Sequence, residues 1–381
     1  MTATRNQRIL SVQPVGDGGG SEHALIGMIR QLTADGWECH VVVPGPARLA
    51  SEYAAAGAVL HYLAMPSVST SGGRGRWLRY AALWPVTVAR LARLARGLRI
   101  SVVHTNSLHS WYGWAVAALL RRPHVWHARE IVFQSGAALR LERVLVHRFA
   151  FRVIAISQAV ADQLDPANVV VIFDDADLGR FGPERAGTFR AGAGIDDRVP
   201  LAGSVARLDT WKGFDDLLAA WPDVRRVRPD AELVVAGGPV PGKEDYAAGL
   251  RNRAASMPGV HWLGLRSDIP DVMADLDVFV QVSSEPEPFG LVVVEALACG
   301  CPVVAGDQGG PLEILGAEAA RQVTPRGRLV PARDPLALAG AMVGLLPDHS
   351  DLGRRRSRPR LRHPGGPRFA PVFEAALESR R

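Results

Sequence analysis

Two acidic residues, Glu287 and Glu295, stand seven residues apart around the segment Phe289-Gly290-Leu291 of this 381-residue chain. Residues 291–298 (LVVVEALA) read as a short buried helix, with Gly300 as its left-handed stop. A helix start offers unpaired N–H groups and the positive end of a dipole, so it can seat an anion. Gly290 would let a ligand approach the main chain closely. Carboxylates repel phosphate, so the two glutamates are suited to hydroxyls, and sugar hydroxyls are the natural candidates. Arg207 and Lys212 lie five residues apart across one strand–helix turn. Converging there they would clamp a diphosphate, the guanidinium as a fork and the ammonium as a point charge. Each feature also has a plainer reading, as solvated glutamates and solvated cations.

These residues need elements to hold them. Strands are expected at 201–206, 231–237, 260–265, 278–282 and 301–305, and helices at 214–221, 269–274, 291–298 and 335–346. An earlier set has strands at 8–15, 39–43, 100–104, 123–127, 152–157 and 168–173. A glycine-rich turn, Gly16 to Glu22, follows the first of these, then a helix over 23–33 and a stop at Gly36. Strand, glycine loop, helix and strand make a Rossmann-like opening, but the glycine spacing is not the dinucleotide fingerprint. The Gly/Pro/Arg-rich stretch 181–198 reads as a linker. The expected class is α/β with two Rossmann-like domains, residues 1–180 and 181–350, followed by 351–381. His127 falls at a strand end, where binding loops gather in such sheets, although a lone histidine is more often structural. Arg129 and Glu130 follow it.

The run Glu-Pro-Phe-Gly-Leu-Val-Val-Val-Glu-Ala (287–296), then Gly-Cys-Pro-Val-Val-Ala (300–305) and Gly309-Gly310-Pro311-Leu312-Glu313, resembles the signature of glycosyltransferase family 4, the group 1 glycosyltransferases. The resemblance implies the GT-B fold, two doubly wound Rossmann-like domains facing across a cleft, and sugar transfer from a nucleotide diphosphate sugar with retention of configuration. It implies diphosphate binding by Arg207, Lys212, Gly290 and Leu291, matching the family pattern around Gly203, Arg207, Lys212 and Gly213. Glu287 would steady the donor sugar, and Glu295, Phe289 and Gly264 would serve sugar and nucleotide. The glycine loop at Gly18, Gly19 and Gly20 would face the reacting sugar. His127 would contact donor sugar or acceptor, and is expected with Glu287 as a catalytic residue; Arg129 and Glu130 are nearby candidates for acceptor contacts, and the resemblance makes 1–180 the acceptor domain and 181–350 the nucleotide-sugar donor domain. The resemblance implies no cofactor beyond the nucleotide-sugar co-substrate, no metal, and a glycan, lipid-linked or small-molecule acceptor in cell-envelope polysaccharide or glycoconjugate synthesis. A GT-B sugar-nucleotide epimerase and a catalytically degenerate binding subunit are the rivals. The chain departs from the family where Asp174 and Asp175 replace the usual Asn-Gly before Asp177. It departs again at 351–367, a run of Arg, Pro, Gly and His without helical periodicity, either a basic tail or a frameshifted stretch.

Hydrophobic residues make up 48% and charged residues 22% of the chain, ordinary for a soluble globular protein. A net charge of +6 favours anionic partners; the site above selects a nucleotide diphosphate, and nucleic acid is not expected. Three cysteines without metal spacing suggest a reducing compartment. No stretch has the length of a membrane span, so a cytoplasmic location is expected. Residues 76–99 interleave arginines with Trp and Leu, either a surface helix packing its leucines or a basic face for anionic lipid, which would make the protein peripheral on the membrane. The apolar spacing of 369–377 marks a last helix that in GT-B proteins crosses back to the first domain.

Overall fold

The computed structural model describes residues 7–66, 73–132, 135–164, 168–348, 359 and 368–379. The chain divides into two compact units, 1–174 with 366–381, and 175–365. In the first, strands and helices alternate: β1 Arg8–Val12, α1 Gly20–Ala34, β2 Glu38–Val43, α2 Ala50–Ala55, β3 Ala58–Tyr62, α3 Gly73–Gly97, β4 Val102–Thr105, α4 Tyr112–Leu120, β5 His124–Ala128, α5 Gly136–Phe149, β6 Arg152–Ala155, α6 Gln158–Asp162 and β7 Val169–Val171. The second unit continues with α7 Thr188–Ala193, β8 Leu201–Val205, α8 Phe214–Val227, β9 Glu232–Ala236, α9 Glu244–Ala255, β10 Val260–Gly264, α10 Ile269–Asp275, β11 Val278–Gln281, α11 Leu291–Ala298, β12 Val303–Gly306, α12 Gly310–Leu315, β13 Gly327–Val330 and α13 Pro335–Leu345. A last helix, α14 Ala370–Glu378, belongs to the first unit.

Both sheets are parallel, in the orders β3-β2-β1-β4-β5-β6-β7 and β10-β9-β8-β11-β12-β13. Their strands are apolar runs without alternation (Val41-Val42-Val43, Val303-Val304-Ala305) because helices cover both faces. In the first unit Leu25, Ile29 and Leu32 of α1 meet Ile9, Val41 and Val102 on one face of the sheet. On the other face Val88, Leu91 and Ala95 of α3 meet Leu10, Val42 and Val103. In the second, Leu217, Trp221 and Val224 of α8 share a core with Leu338 and Met342 of α13. Phe373 of α14 is fully buried and sets its ring 5.8 Å from that of Trp37.

Helix α3 is longer than the sequence suggests. It begins at Gly73 and runs through Pro85. Arg90, Arg93 and Arg96 are exposed while Leu91 and Ala95 are buried, as an amphipathic surface helix requires. Toward its start, however, Leu78, Leu83 and Val86 are exposed, Leu78 by 72%. Residues 351–358 and 360–367, the stretch where the sequence departs from family 4, lie outside the described residues. No helix of the described residues is long and apolar enough to cross a membrane.

The stretch 181–198 is not a free linker. It holds α7, whose Arg190 is 1% exposed. The guanidinium donates to the main-chain oxygens of Asp275 at 3.0 Å, Asp196 at 2.8 Å and Val199 at 2.9 Å, and pairs with Asp277 at 3.1 Å. Asp277 also accepts from the Leu201 amide at 3.0 Å, and Asp275 from the Arg190 amide at 2.8 Å. One buried cation thus ties this segment to the start of β8 and to the ends of α10. Removing one partner of a buried pair leaves the other charged and unpaired, at a cost of about 3–5 kcal/mol. Arg190→Met is therefore expected to lower stability by that order in urea unfolding followed by circular dichroism. An unchanged midpoint would show that the network does not hold this segment.

Candidate functional site

In the second sheet the strand order reverses between β8 and β11. Such a switch point opens a crevice at the carboxyl ends of the strands, where α/β sheets bind ligands. The loop after β8 carries Arg207, Trp211 and Lys212, and the loop after β11 carries Gln281 (its last strand residue), Ser283 and Glu287. Lys212 Nζ lies 2.7 Å from Glu287 Oε2, both side chains only 14% and 13% exposed. The same carboxylate oxygen accepts from Gln281 Nε2 at 2.8 Å and Ser283 Oγ at 2.9 Å. Lys212 Nζ sits 3.9 Å over the Trp211 ring, whose indole N–H donates to Asp209 at 3.1 Å. A cation on an indole face is held by the ring quadrupole as well as by its counter-ion. The two loops are joined through their main chains, the Ser284 amide donating to the Trp211 carbonyl at 2.8 Å.

Gly309 and Gly310 fix the height of the Glu287 loop. The Gly310 amide donates to the Glu287 carbonyl at 2.8 Å. A Cβ on Gly309 would stand 2.1 Å from that carbonyl oxygen, and Gly309 has φ +69°, so only glycine fits. Gly290, at φ +91°, then turns the chain into α11, and Leu291 is its first residue. The Leu291 and Val292 amides head the helix, where intrahelical partners do not exist. The structure thus brings Lys212, Glu287, Gly290 and Leu291 together. Arg207 lies exposed at the start of the Lys212 loop, just past β8. Phe289 is 2% exposed and packs inward. Gly264 ends β10 with φ +67°.

Glu295 follows on α11, partly buried. Desolvation lifts its carboxyl to about 8, and the charge of Arg180 offsets this only in part. At neutral pH it carries a proton and can donate as well as accept. Asp216 on α8 is also raised, by burial and then by Asp215.

In the first unit the glycine loop folds on its own carboxylates. The Gly18 amide donates to Glu22 at 2.5 Å and the Gly19 amide to Asp17 at 3.2 Å, and Gly20 opens α1. His127 lies inside β5 and is fully buried, its ring 5.9 Å from Phe369. Its Nδ1 meets His104 Nε2 at 3.4 Å, and His104 Nδ1 meets Ser11 Oγ at 3.1 Å. Burial, then the charge of Arg129, hold both imidazoles well below the usual range, so both are neutral. The sequence expected His127 to touch a ligand; its strand register turns it into the core instead, and it has no exposed surface. Among the described residues no cluster of three His, Cys, Asp or Glu side chains is placed to hold a metal.

Sequence reasoning missed Gln281 and Ser283, the two donors that grip Glu287. Their i, i+2 spacing at a strand end, which puts both on one face, was the available signal. It also missed the Trp211 ring beneath Lys212.

Two parallel sheets, each wound with helices on both faces, and a lysine–carboxylate pair beside a helix start at a switch point place the chain among GT-B proteins. Comparison with known proteins carries this further. The family model "Glycosyl transferases group 1" matches residues 199–348, and "Glycosyltransferase Family 4" matches residues 18–172. The chain belongs to the family 4, group 1 glycosyltransferases. The alpha-maltose-1-phosphate synthase of Mycobacterium tuberculosis is 30% identical over 246 residues, 56% of this chain and 62% of that protein. The D-inositol 3-phosphate glycosyltransferase of Segniliparus rotundus is 31% identical over 240 residues, 56% of this chain and 52% of that protein. The chain thus spans between half and two-thirds of the length of these curated relatives. Among solved structures, Anabaena HepE in complex with UDP and glucose aligns with a TM-score of 0.78 at 24% identity, covering 98% of this chain and 99% of that one. WaaG, a glycosyltransferase involved in lipopolysaccharide biosynthesis, aligns at 0.65 and 17% identity, over 98% and 99%. At these identities the structural matches speak for the fold.

The raised Glu295 carboxyl gives a pH signature. Between the ordinary carboxylate value and 8, the folded chain keeps a proton that the unfolded chain has released. Its stabilising effect is therefore full at acid pH and is lost as pH rises through 8. Glu295→Gln should raise the thermal midpoint relative to the parent more at pH 9 than at pH 5.5, read by calorimetry. Equal shifts at both pH values would refute the assigned protonation.

Proposed function

We propose that the protein transfers a hexose from a nucleotide diphosphate sugar to a hydroxylated acceptor, with retention and without a metal, in the synthesis of an envelope glycan or glycoconjugate. The observation that carries this is the 2.7 Å contact of Lys212 and Glu287 beside the start of α11. Breaking the bond from anomeric carbon to phosphate leaves positive charge on the sugar and negative charge on the diphosphate. A carboxylate and an ammonium fixed side by side match those two ends. Groups already oriented where charge develops do not have to reorganise during reaction. Lys212 and the Gly290 and Leu291 amides would receive the departing phosphate, with Arg207 closing on its outer face. Glu287 would face the sugar, and the departing phosphate would take the acceptor's proton. Gln281 and Ser283, both donating to Glu287 Oε2, keep the carboxylate aimed. Glu295 would hold ribose hydroxyls, and Gly264 would offer its backbone to the base. Support for a nucleotide-sugar donor comes from HepE, whose solved complexes contain UDP and UDP-glucose.

The test uses purified protein, a panel of UDP-, GDP-, ADP- and TDP-sugars, and chromatographic detection of glycosylated product. Lys212→Ala and Glu287→Gln are each expected to lower kcat by about 10²–10³-fold while the far-UV spectrum is kept. Full activity in both variants would remove the assignment. Epimerised nucleotide sugar without transfer would favour the epimerase reading, and neither product a degenerate subunit.

We infer also that α3 meets an anionic lipid surface. Leu83 and Val86 line a groove of 540 Å³ together with Arg79 and Arg90, so apolar and cationic groups share one face, the pairing that interfacial helices use. Co-sedimentation with phosphatidylglycerol vesicles at low salt should recover the protein, and Leu83→Glu with Val86→Glu should release it. Absence of binding by the parent protein would retire the idea.

A further inference from the structure

The chain carries 44 lysine and arginine residues, and only Lys212 and Lys243 among them are lysines. A sequence that relies on arginine almost everywhere thus keeps an ammonium at the switch point of its second sheet. The neighbour that makes sense of this choice is Trp211.

The loop that carries Trp211 and Lys212 is pinned along its length. One oxygen of the Asp209 carboxylate accepts the Thr210 amide at 2.8 Å, and the other accepts the indole N–H of Trp211 at 3.1 Å. The Lys212 amide donates to the Asp209 carbonyl at 3.0 Å. The Trp211 carbonyl accepts the Ser284 amide at 2.8 Å and the Ser284 hydroxyl at 3.4 Å. Gly213 has φ +73°, and a Cβ there would stand 1.7 Å from the Val282 carbonyl oxygen, so the loop closes directly on the main chain just past β11. The indole is therefore held at its N–H and at its own carbonyl, and its ring keeps one orientation.

Lys212 Nζ lies 3.9 Å from the centre of that ring and 2.7 Å from Glu287 Oε2. The lysine side chain is 14% exposed, and a cation on an aromatic face is held more firmly as water is excluded. Ring and carboxylate fix the nitrogen from two directions, so a long flexible stem ends in one place. An arginine would lie flat on the indole and turn its planar fork to Glu287, committing two N–H groups to the carboxylate. An ammonium is compact and has three donors, of which Glu287 takes one. The other two can turn to an anion while the nitrogen stays over the ring.

We propose that Trp211 is a positioning residue: its ring, anchored by Asp209, holds the Lys212 ammonium where it receives the diphosphate of the donor. The proposal rests on the glycosyl-transfer reading and deepens it by naming the side chain that sets where the charge sits and why that charge is a lysine.

The experiment titrates UDP, GDP, ADP and TDP, each beside its own nucleoside, into the full chain by isothermal calorimetry, with saturation-transfer NMR for the weaker nucleosides. Trp211→Leu should weaken the diphosphate that the parent binds by about tenfold, the scale of a cation–π contact sheltered from water, and leave the matching nucleoside unchanged. Trp211→Phe, which keeps an aromatic face, should stay within about threefold of the parent. Lys212→Arg should weaken the diphosphate although the charge is kept. Equal losses for nucleoside and diphosphate would mark Trp211 as merely structural and overturn the proposal, as would an unchanged diphosphate affinity in Trp211→Leu. Should that variant misfold, Asp209→Ala leaves the ring and removes its anchor, and a parental diphosphate affinity there would overturn the proposal equally. NMR of the reductively ¹³C-methylated parent reads the contact without any ligand: the Lys212 methyl signal should lie upfield of that of Lys243, under the indole ring current, and coincidence of the two would overturn the seat. A parent that binds none of the four diphosphates would overturn the transfer reading and this role together, whereas a parent that binds one, with Trp211→Leu binding it equally, would overturn the role alone.

Discussion

The ion pair between Lys212 and Glu287 is the constraint that fixes the two loops at the second unit's switch point. Its partners are 75 residues apart in sequence and meet only because β8 and β11 are neighbours. Each member is over-determined. Lys212 has an indole face beneath it and a carboxylate before it. Glu287 has two side-chain donors, and its own carbonyl is tied to Gly310. A loop residue in solvent would spend its time among many rotamers, and binding a ligand would then cost the entropy of ordering it. Here that ordering is done by the fold.

Much of this was legible before any coordinates. α11 begins and ends where the apolar run and the glycine stop placed it. Lys212, Glu287, Gly290 and Leu291, drawn from two separate motifs, converge as their residue types required. What could not be read were properties that depend on register or on distant partners. His127 has the right address, at the end of a strand, but side chains alternate between faces, and one position decides between cleft and core. Arg190 lies in a stretch whose glycines and prolines resemble a linker, and only the buried carboxylates of Asp275 and Asp277 reveal why it is folded. α5 and α9 went unread because exposed arginines interrupt their apolar stripes.

The two units repeat one architectural rule with different side chains. At each reversal of strand order, residues just past adjacent strands form a polar platform. In the second unit the platform is ionic and sits beside a helix start. In the first it is a run of amides, a guanidinium and a carboxylate, Gln13, Asn106, Arg129 and Asp174, whose formal charges cancel. The two platforms thus differ in side-chain charge rather than in their place in the fold.

The seating of α14 has a consequence for biogenesis. Phe369, Ala370, Phe373 and Ala376 complete the core around Ile9, Leu25 and Trp37, and Phe373 sets its ring 5.8 Å from that of His104. Ile9, Leu25 and Trp37 therefore wait for residues made more than three hundred positions later before their apolar face is covered. Throughout synthesis of the second unit the emerging first unit carries an open hydrophobic seam, a natural foothold for ribosome-associated chaperones.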